Sequence, residues 1–210
     1  MLLSYYCDVS RISADLSDLP ALSEYRLLRL RGTKPLLKKQ QGIAAELLLY
    51  KALQTMEPGT SLPPDIAADE HGKPYLRDSR LFFSLSHSGQ LAFCALSDRV
   101  LGADIQVISR YDPALASRFF AAGEQSYVKS SADKDMAFTR VWAMKESYIK
   151  AMGQGLAVPL SSFDVCPNGE LCRSFGDYSF WRTEAEGYVF ALCVFGGHPE
   201  PDVFKKLDIY

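Results

Sequence analysis

Twice along this 210-residue chain, a long stretch with helical periodicity is followed by short segments of strand character, and that order constrains the fold more than any other feature. In the first half, residues 39–56 repeat Ile43, Leu47, Tyr50 and Leu53 at helical spacing. Glu57-Pro58-Gly59 ends that helix, because proline and glycine extend a helix only at a cost. An Arg-rich helix candidate at 22–30 precedes it, after a short apolar segment at 2–9. Strands are expected at 81–84, 91–96 and 100–107, separated by Ser86-His87-Ser88-Gly89 and Ser97-Asp98-Arg99. The second half repeats the order loosely. Helices are expected at 113–120, 123–129 and about 135–152, then strands at 162–166, 170–175, 178–183 and 188–195. Asn168-Gly169 is the strongest hairpin signal in the chain. Helices followed by runs of neighbouring strands predict an α+β architecture, not a parallel βαβ array, with a junction near 107–112.

The length suffices for a sizeable core, as one domain or as two of about 100 residues each. Acids outnumber bases, 25 to 23, which argues against a general nucleic-acid binder. No apolar run reaches the roughly 18 residues of a membrane span, and the N-terminus lacks a basic region followed by a long apolar one. The chain reads as soluble and unprocessed. Its five cysteines are odd in number and form no Cys-x-x-Cys pair, as expected of buried free thiols in a reducing cytoplasm. One window departs from neutrality: between Glu24 and Glu46 there is no acid, but there are Arg26, Arg29, Arg31, Lys34, Lys38 and Lys39. It reads either as a solvated surface or as an anion site for a phosphorylated small molecule.

Strand alternation in 100–107 puts Ala103, Ile105 and Val107 on one face and Gly102, Asp104 and Gln106 on the other. If the apolar face turns to the core, Asp104 and Gln106 project together. On the 135–152 helix, Trp142, Glu146 and Lys150 are spaced i, i+4, i+8, with Lys145 and Ile149 beside them. A strand carboxylate and a helix carboxylate suit a hard cation such as magnesium, which keeps waters and takes phosphate oxygens from a substrate. The plainer readings are a surface Glu146–Lys150 ion pair and a strand-end turn carboxylate at Asp104. Two further segments weigh against these: Gly153-Gln154-Gly155 permits close backbone packing, and the 83–89 turn offers hydroxyls and an imidazole. No Gly-x-Ser-x-Gly elbow supports a serine hydrolase, and His71, His87 and His198 lack zinc-ligand spacing.

The segments Phe83-Ser84-Leu85-Ser86-His87-Ser88-Gly89, Gly102-Ala103-Asp104-Ile105, and Trp142-Ala143-Met144-Lys145-Glu146-Ser147-Tyr148-Ile149-Lys150 with Gly153-Gln154-Gly155-Leu156 resemble, in that order, the motifs of the 4′-phosphopantetheinyl transferase superfamily. Gly72-Lys73-Pro74 is similar to a further family motif, so the resemblance runs from about residue 22 to 195. The Lys-Glu-Ser sequence and the two-half length resemble the Sfp-type branch. The resemblance implies a monomeric pseudo-dimer of two similar α+β halves, each with a mainly antiparallel sheet and a long packed helix. The halves would be residues 1–106, on the adenylate side of coenzyme A, and 107–210, with the signature helix and the metal and diphosphate side.

It also implies a reaction: coenzyme A donates phosphopantetheine to a serine of an apo acyl or peptidyl carrier protein, and 3′,5′-ADP leaves. Asp104 and Glu146 match the metal-binding carboxylates, with Mg2+ expected and Mn2+ equally suited to oxygen ligands. Lys150 matches the lysine on the pyrophosphate, with Lys145 beside it among the coenzyme-binding residues. Ser86 and His87 match the 3′-phosphate and ribose region, Lys73 the adenine end, and Arg26 and Arg29 the basic residues for the same phosphate. Glu146 is the expected proton acceptor and, with Lys150, the catalytic pair. The chain departs from the pattern at Gln106, where many Sfp-type members have Glu, which leaves a neutral oxygen for the metal. Phe119, Phe120, Tyr127 and Lys129 are carrier-contact candidates, equally readable as core or solvated surface. The other reading is a regulatory protein that binds coenzyme A or the carrier without catalysis.

Overall fold

The computed structural model describes residues 1–18, 20–197 and 204–209. The elements are β1 (Leu2–Asp8), α1 (Glu24–Leu30), α2 (Leu36–Met56), β2 (Ile66–Ala68), β3 (Pro74–Leu76), β4 (Phe82–Ser88), β5 (Leu91–Ser97), β6 (Leu101–Val107), α3 (Pro113–Phe119), α4 (Ala122–Ser130), α5 (Lys134–Met152), β7 (Ser174–Phe175), β8 (Tyr178–Ala185), β9 (Tyr188–Phe195) and β10 (Phe204–Lys206). The architecture is α+β, as the element order predicts. One sheet runs β10-β1-β5-β4 and another β6-β9-β8-β7, with β2-β3 a separate pair. Every pairing is antiparallel except β1 with β10. His198 lies outside the described residues.

Alternation along two strands explains the layering. On β5, Ala92, Cys94 and Leu96 pack with Ile43, Leu48, Leu49 and Leu53 of α2, while Leu91, Phe93 and Ala95 face the second sheet. On β9, Phe190, Leu192 and Val194 meet them from the other side, and Val189, Ala191 and Cys193 pack beneath α5. Both strands are apolar on both faces because each is covered twice. The order is helix, sheet, sheet, helix, with an apolar core between each adjacent pair of layers.

Helix α5 starts at the Asp133 cap, whose carboxylate accepts from Met136 N–H at 2.9 Å. It ends at Gly153, left-handed at φ 74°. Its seat on β6 depends on Gly102, where a Cβ would stand 2.0 Å from the Ser147 carbonyl oxygen and 2.3 Å from Ala151 N. The edges of the two sheets meet at β4 and β6 through side chains instead of a backbone ladder. Ser84, Ser86 and Ser88 share one face of β4, and their hydroxyls accept from the N–H groups of Ala103, Ile105 and Val107 at 2.9, 3.3 and 2.9 Å.

Several expectations are corrected. Residues 162–166 form no strand, and of 170–175 only Ser174–Phe175 does. Asn168-Gly169 does take the left-handed pair of φ values a tight turn needs, 73° and 76°, but joins no two strands. The hairpin of the second sheet turns instead at Glu186-Gly187, φ 55° and 80°, between β8 and β9. The division expected after residue 106 differs from the sheets: β6 pairs with β9 of the second half, and β10 pairs with β1 of the first. Among the described residues no helix is long and apolar enough to cross a membrane. All five cysteines are free; burial raises the thiol pKa of Cys7 to about 12 and pushes the other four up as well.

Candidate functional site

The β4–β6 seam opens into a cleft of about 430 Å³, walled by α1, α2 and α5 and lined by Arg26, Arg29, Ser86, His87, Asp104, Gln106, Glu146 and Lys150 among others. A second, more apolar hollow of about 310 Å³ adjoins it across Glu146 and Lys150 and includes Lys73, Pro74, Phe83, Ile149 and Gly153. Strand alternation carries Asp104 to the seam, where it is 1% exposed. The helical i, i+4 interval brings Glu146 and Lys150 over it from α5.

The cleft is polarised. At one end Lys150 Nζ donates to Asp104 Oδ1 at 2.6 Å, Ser86 Oγ at 3.0 Å and the Ala103 carbonyl at 3.2 Å, using all three ammonium hydrogens. Ser86 Oγ itself donates to Asp104 Oδ1 at 2.7 Å, and Gln106 Nε2 donates to Oδ2 at 2.8 Å. Asp104 is thus held on both oxygens. Glu146 has no hydrogen-bond or ion-pair partner among the described residues. Burial, then the Asp104 charge, raises its pKa, and Lys150 opposes this. At the other end, Arg26 and Arg29 flank the Tyr25 ring at 6.0 and 5.5 Å from its centroid. His87 stands between the two ends with its ring open to solvent at the mouth. The surrounding walls, then the Lys38 and Lys150 charges, push its imidazole pKa down to about 4, so it is neutral at pH 7.

Asp104, Gln106, Glu146, Lys150, Ser86, His87, Arg26 and Arg29 therefore line one cleft, whereas Lys73 and Lys145 stand apart. Lys73 reaches the adjoining hollow, but its ammonium donates to the Ala151 carbonyl at 3.1 Å and the Leu101 carbonyl at 3.4 Å, at the end of α5. Lys145 is a correction. The expectation that it contacts a coenzyme fails because the side chain turns away from the cleft toward α4 and is fully buried. There it donates to Glu124 Oε1 and, at 2.7 Å, to the Phe163 carbonyl. Burial pushes the Glu124 carboxyl up and the Lys145 ammonium down, but the N–H groups of Val165 and Ala121, at 2.8 and 2.7 Å, help hold the pair ionised. Phe120, 2% exposed, is core, and Phe119 packs edge-on against Trp142. Sequence reasoning missed Glu46, which accepts from Arg26 Nε at 3.2 Å. The signal was there: Glu46 is the acid that closes the acid-free window, inside an apolar helix.

The cleft therefore has a guanidinium end, at Arg26 and Arg29, and an ammonium–carboxylate end, at Lys150, Asp104 and Glu146. Residues 100–193 match the family model of the 4′-phosphopantetheinyl transferase superfamily. The chain is 38% identical to 4′-phosphopantetheinyl transferase gsp of Aneurinibacillus migulanus over 102 residues, 48% of this chain and 43% of that protein. It is 37% identical to 4′-phosphopantetheinyl transferase Sfp of Bacillus subtilis (strain 168) over 144 residues, 64% of this chain and 63% of that protein. It is 43% identical to 4′-phosphopantetheinyl transferase psf-1 of Bacillus pumilus over 96 residues, 44% of this chain and 41% of that protein. The chain thus spans between 41% and 63% of the length of these curated relatives.

Proposed function

We propose that the protein transfers 4′-phosphopantetheine from coenzyme A to a serine of an apo acyl or peptidyl carrier protein, releasing 3′,5′-ADP. We assign it to the cytoplasm as a monomer whose two halves form a pseudo-dimer. The observation that carries this reading is the polarity of the cleft. Coenzyme A has a phosphate monoester and a diphosphate separated by a ribose, and the cleft has a guanidinium end and an ammonium–carboxylate end separated by His87.

The donor set fits a divalent cation such as Mg2+, with Mn2+ also compatible. Glu146 is a half-buried carboxylate without a donor among the described residues, beside the Asp104 carboxylate. Among the described residues no group of three or more His, Cys, Asp or Glu is placed to hold a metal, so water and phosphate oxygens would have to complete the shell of any such cation. Asp104 and Glu146 would hold it, and Gln106 would contribute through its amide oxygen. When bound, such an ion offsets charge on the diphosphate. Lys150 does the same from the protein side, exchanging Asp104 for a phosphate oxygen, and Arg26, Arg29 and His87 orient the far end.

In the transfer, the carrier serine oxygen bonds to the phosphorus on the pantetheine side and the diphosphate P–O bond breaks. The electron pair leaves with 3′,5′-ADP, and the serine proton passes to Glu146. The serine enters past Gln106 and Trp142, where a small hollow includes Leu115 and Phe138. Mass spectrometry of an apo carrier incubated with coenzyme A, magnesium and this protein tests the reading: the carrier gains the phosphopantetheine mass. A carrier left unchanged while coenzyme A binds would replace it with a regulatory binder. Glu146→Gln is expected to lower transfer by about 10²–10⁴-fold with coenzyme A binding retained.

A further inference from the structure

Behind the basic end of the cleft stands a carboxylate that touches no solvent. Glu46 on α2 is 0% exposed and accepts four hydrogen bonds. Oε1 takes Ser23 N–H at 2.7 Å and the Tyr50 hydroxyl at 2.6 Å; Oε2 takes the Ser23 hydroxyl at 3.0 Å and Arg26 Nε at 3.2 Å. Ser23 is also the N-cap of α1, so the same cluster fixes the start of the helix that carries Arg26. The Arg26 side chain is only 11% exposed. Nε is the only one of its donor nitrogens with a partner among the described residues. The terminal nitrogens, with four N–H groups, lie beside Gly42, where a Cβ would come within 3.1 Å of Nη1, and both residues line the cleft. Neither terminal nitrogen is a buried atom left without a partner, so their N–H groups meet the solvent of the cleft and present a fork that an anion can fill.

We infer that Glu46 is a positioning residue that holds the Arg26 fork toward the cleft, preorganised for a phosphate monoester, and so sets selectivity for a coenzyme that carries one. The inference rests on the coenzyme A reading, in which the 3′-phosphate is that group. Charge and position predict opposite signs. If charge alone mattered, neutralising Glu46 would strengthen anion binding, because one nearby negative charge would be gone. If position governs, the guanidinium is released and binding weakens, but only for ligands that reach it.

The test is calorimetric titration of wild type, Glu46→Gln and Arg26→Ala with coenzyme A and with 3′-dephospho-coenzyme A, which lacks only the monoester. Wild type is expected to prefer coenzyme A. Both variants lose about tenfold in coenzyme A affinity and keep their affinity for the dephospho form. Tighter or unchanged coenzyme A binding by Glu46→Gln, or equal weakening toward both ligands, overturns the inference. If Glu46→Gln does not fold, Arg26→Lys decides: it keeps the charge and loses the fork, and undiminished discrimination would refute the positioning role. Wild type that binds neither coenzyme sinks the donor reading instead. Inorganic phosphate then settles Glu46, by raising the melting temperature of wild type but not of Glu46→Gln; equal shifts, or none, overturn the inference.

Discussion

Burial against the cleft walls, then the charges of Lys38, Lys150 and Arg26, hold the His87 imidazole neutral down to about pH 4. A base whose folded-state pKa lies below its free value near 6.5 is protonated first in the unfolded chain. Its contribution to stability is therefore intact above pH 6.5 and is lost as pH falls toward 4. Nitrogen chemical shifts of the ring across a pH series check this. Adding adenosine 3′,5′-bisphosphate is expected to raise that pKa by about one unit or more, since an anion favours the imidazolium; an unmoved pKa places the phosphate elsewhere. Gln106 makes a second residue-scale case. Its amide donates to Asp104 Oδ2, a bond a carboxylate cannot make. In chelator, Gln106→Glu is expected to lose about 1.5–3 kcal/mol of stability, and magnesium should restore more of it than it adds to wild type. Equal melting shifts on adding magnesium would remove Gln106 from the metal's surroundings.

At the scale of elements, α5 shows what was legible in the sequence and what was not. Its period, its Gly153 end, and the placing of Glu146 and Lys150 on one face followed from the sequence, whereas its Asp133 cap lies ahead of the start expected at about 135. The direction of Lys145 did not, because one residue along a helix turns a side chain about 100° and only the packing of α4 and the 163–165 loop shows that a buried acceptor waits there. Lys145→Met would strand the Glu124 carboxylate in the interior and is expected to cost about 3–5 kcal/mol, read from denaturant midpoints. Loss of coenzyme affinity without loss of stability would return Lys145 to the site. Gly102 gives the sheet-side counterpart. A methyl at this position meets α5 backbone on two sides, so Gly102→Ala is expected to destabilise by about 3 kcal/mol or more. What was missed has identifiable causes: strand β10 is three residues long and is fixed by β1, 200 residues away, and the Glu186-Gly187 turn lacks the Asn or Asp that usually marks one.

For the whole molecule, the division at 106 follows the motif order, but the interior crosses it. The core between the sheets takes Tyr6, Leu91 and Phe93 from the first sheet and Leu101, Ala103, Ile105, Phe190 and Leu192 from the second, so only Phe190 and Leu192 of these come from beyond residue 106. Three serines close the seam at its edge, and the same seam forms the floor of the cleft. Ser86 serves both purposes: its hydroxyl accepts from Ile105 N–H and donates to Asp104, and it accepts from Lys150. The site therefore exists only when both halves are folded and docked. Unfolding in denaturant is accordingly expected to be one transition, with near-ultraviolet signals, dominated by Trp142 and Trp181 of the second half, coincident with far-ultraviolet signals from the whole chain. Residues 107–210 alone, deprived of β6, would leave α5 without the strand it packs on and Phe190 and Leu192 without a cover, and are expected to show no cooperative melt. A stable 107–210 fragment, or two separated transitions, would mean that the inter-sheet core contributes little and that the halves are independent domains that merely share a cleft.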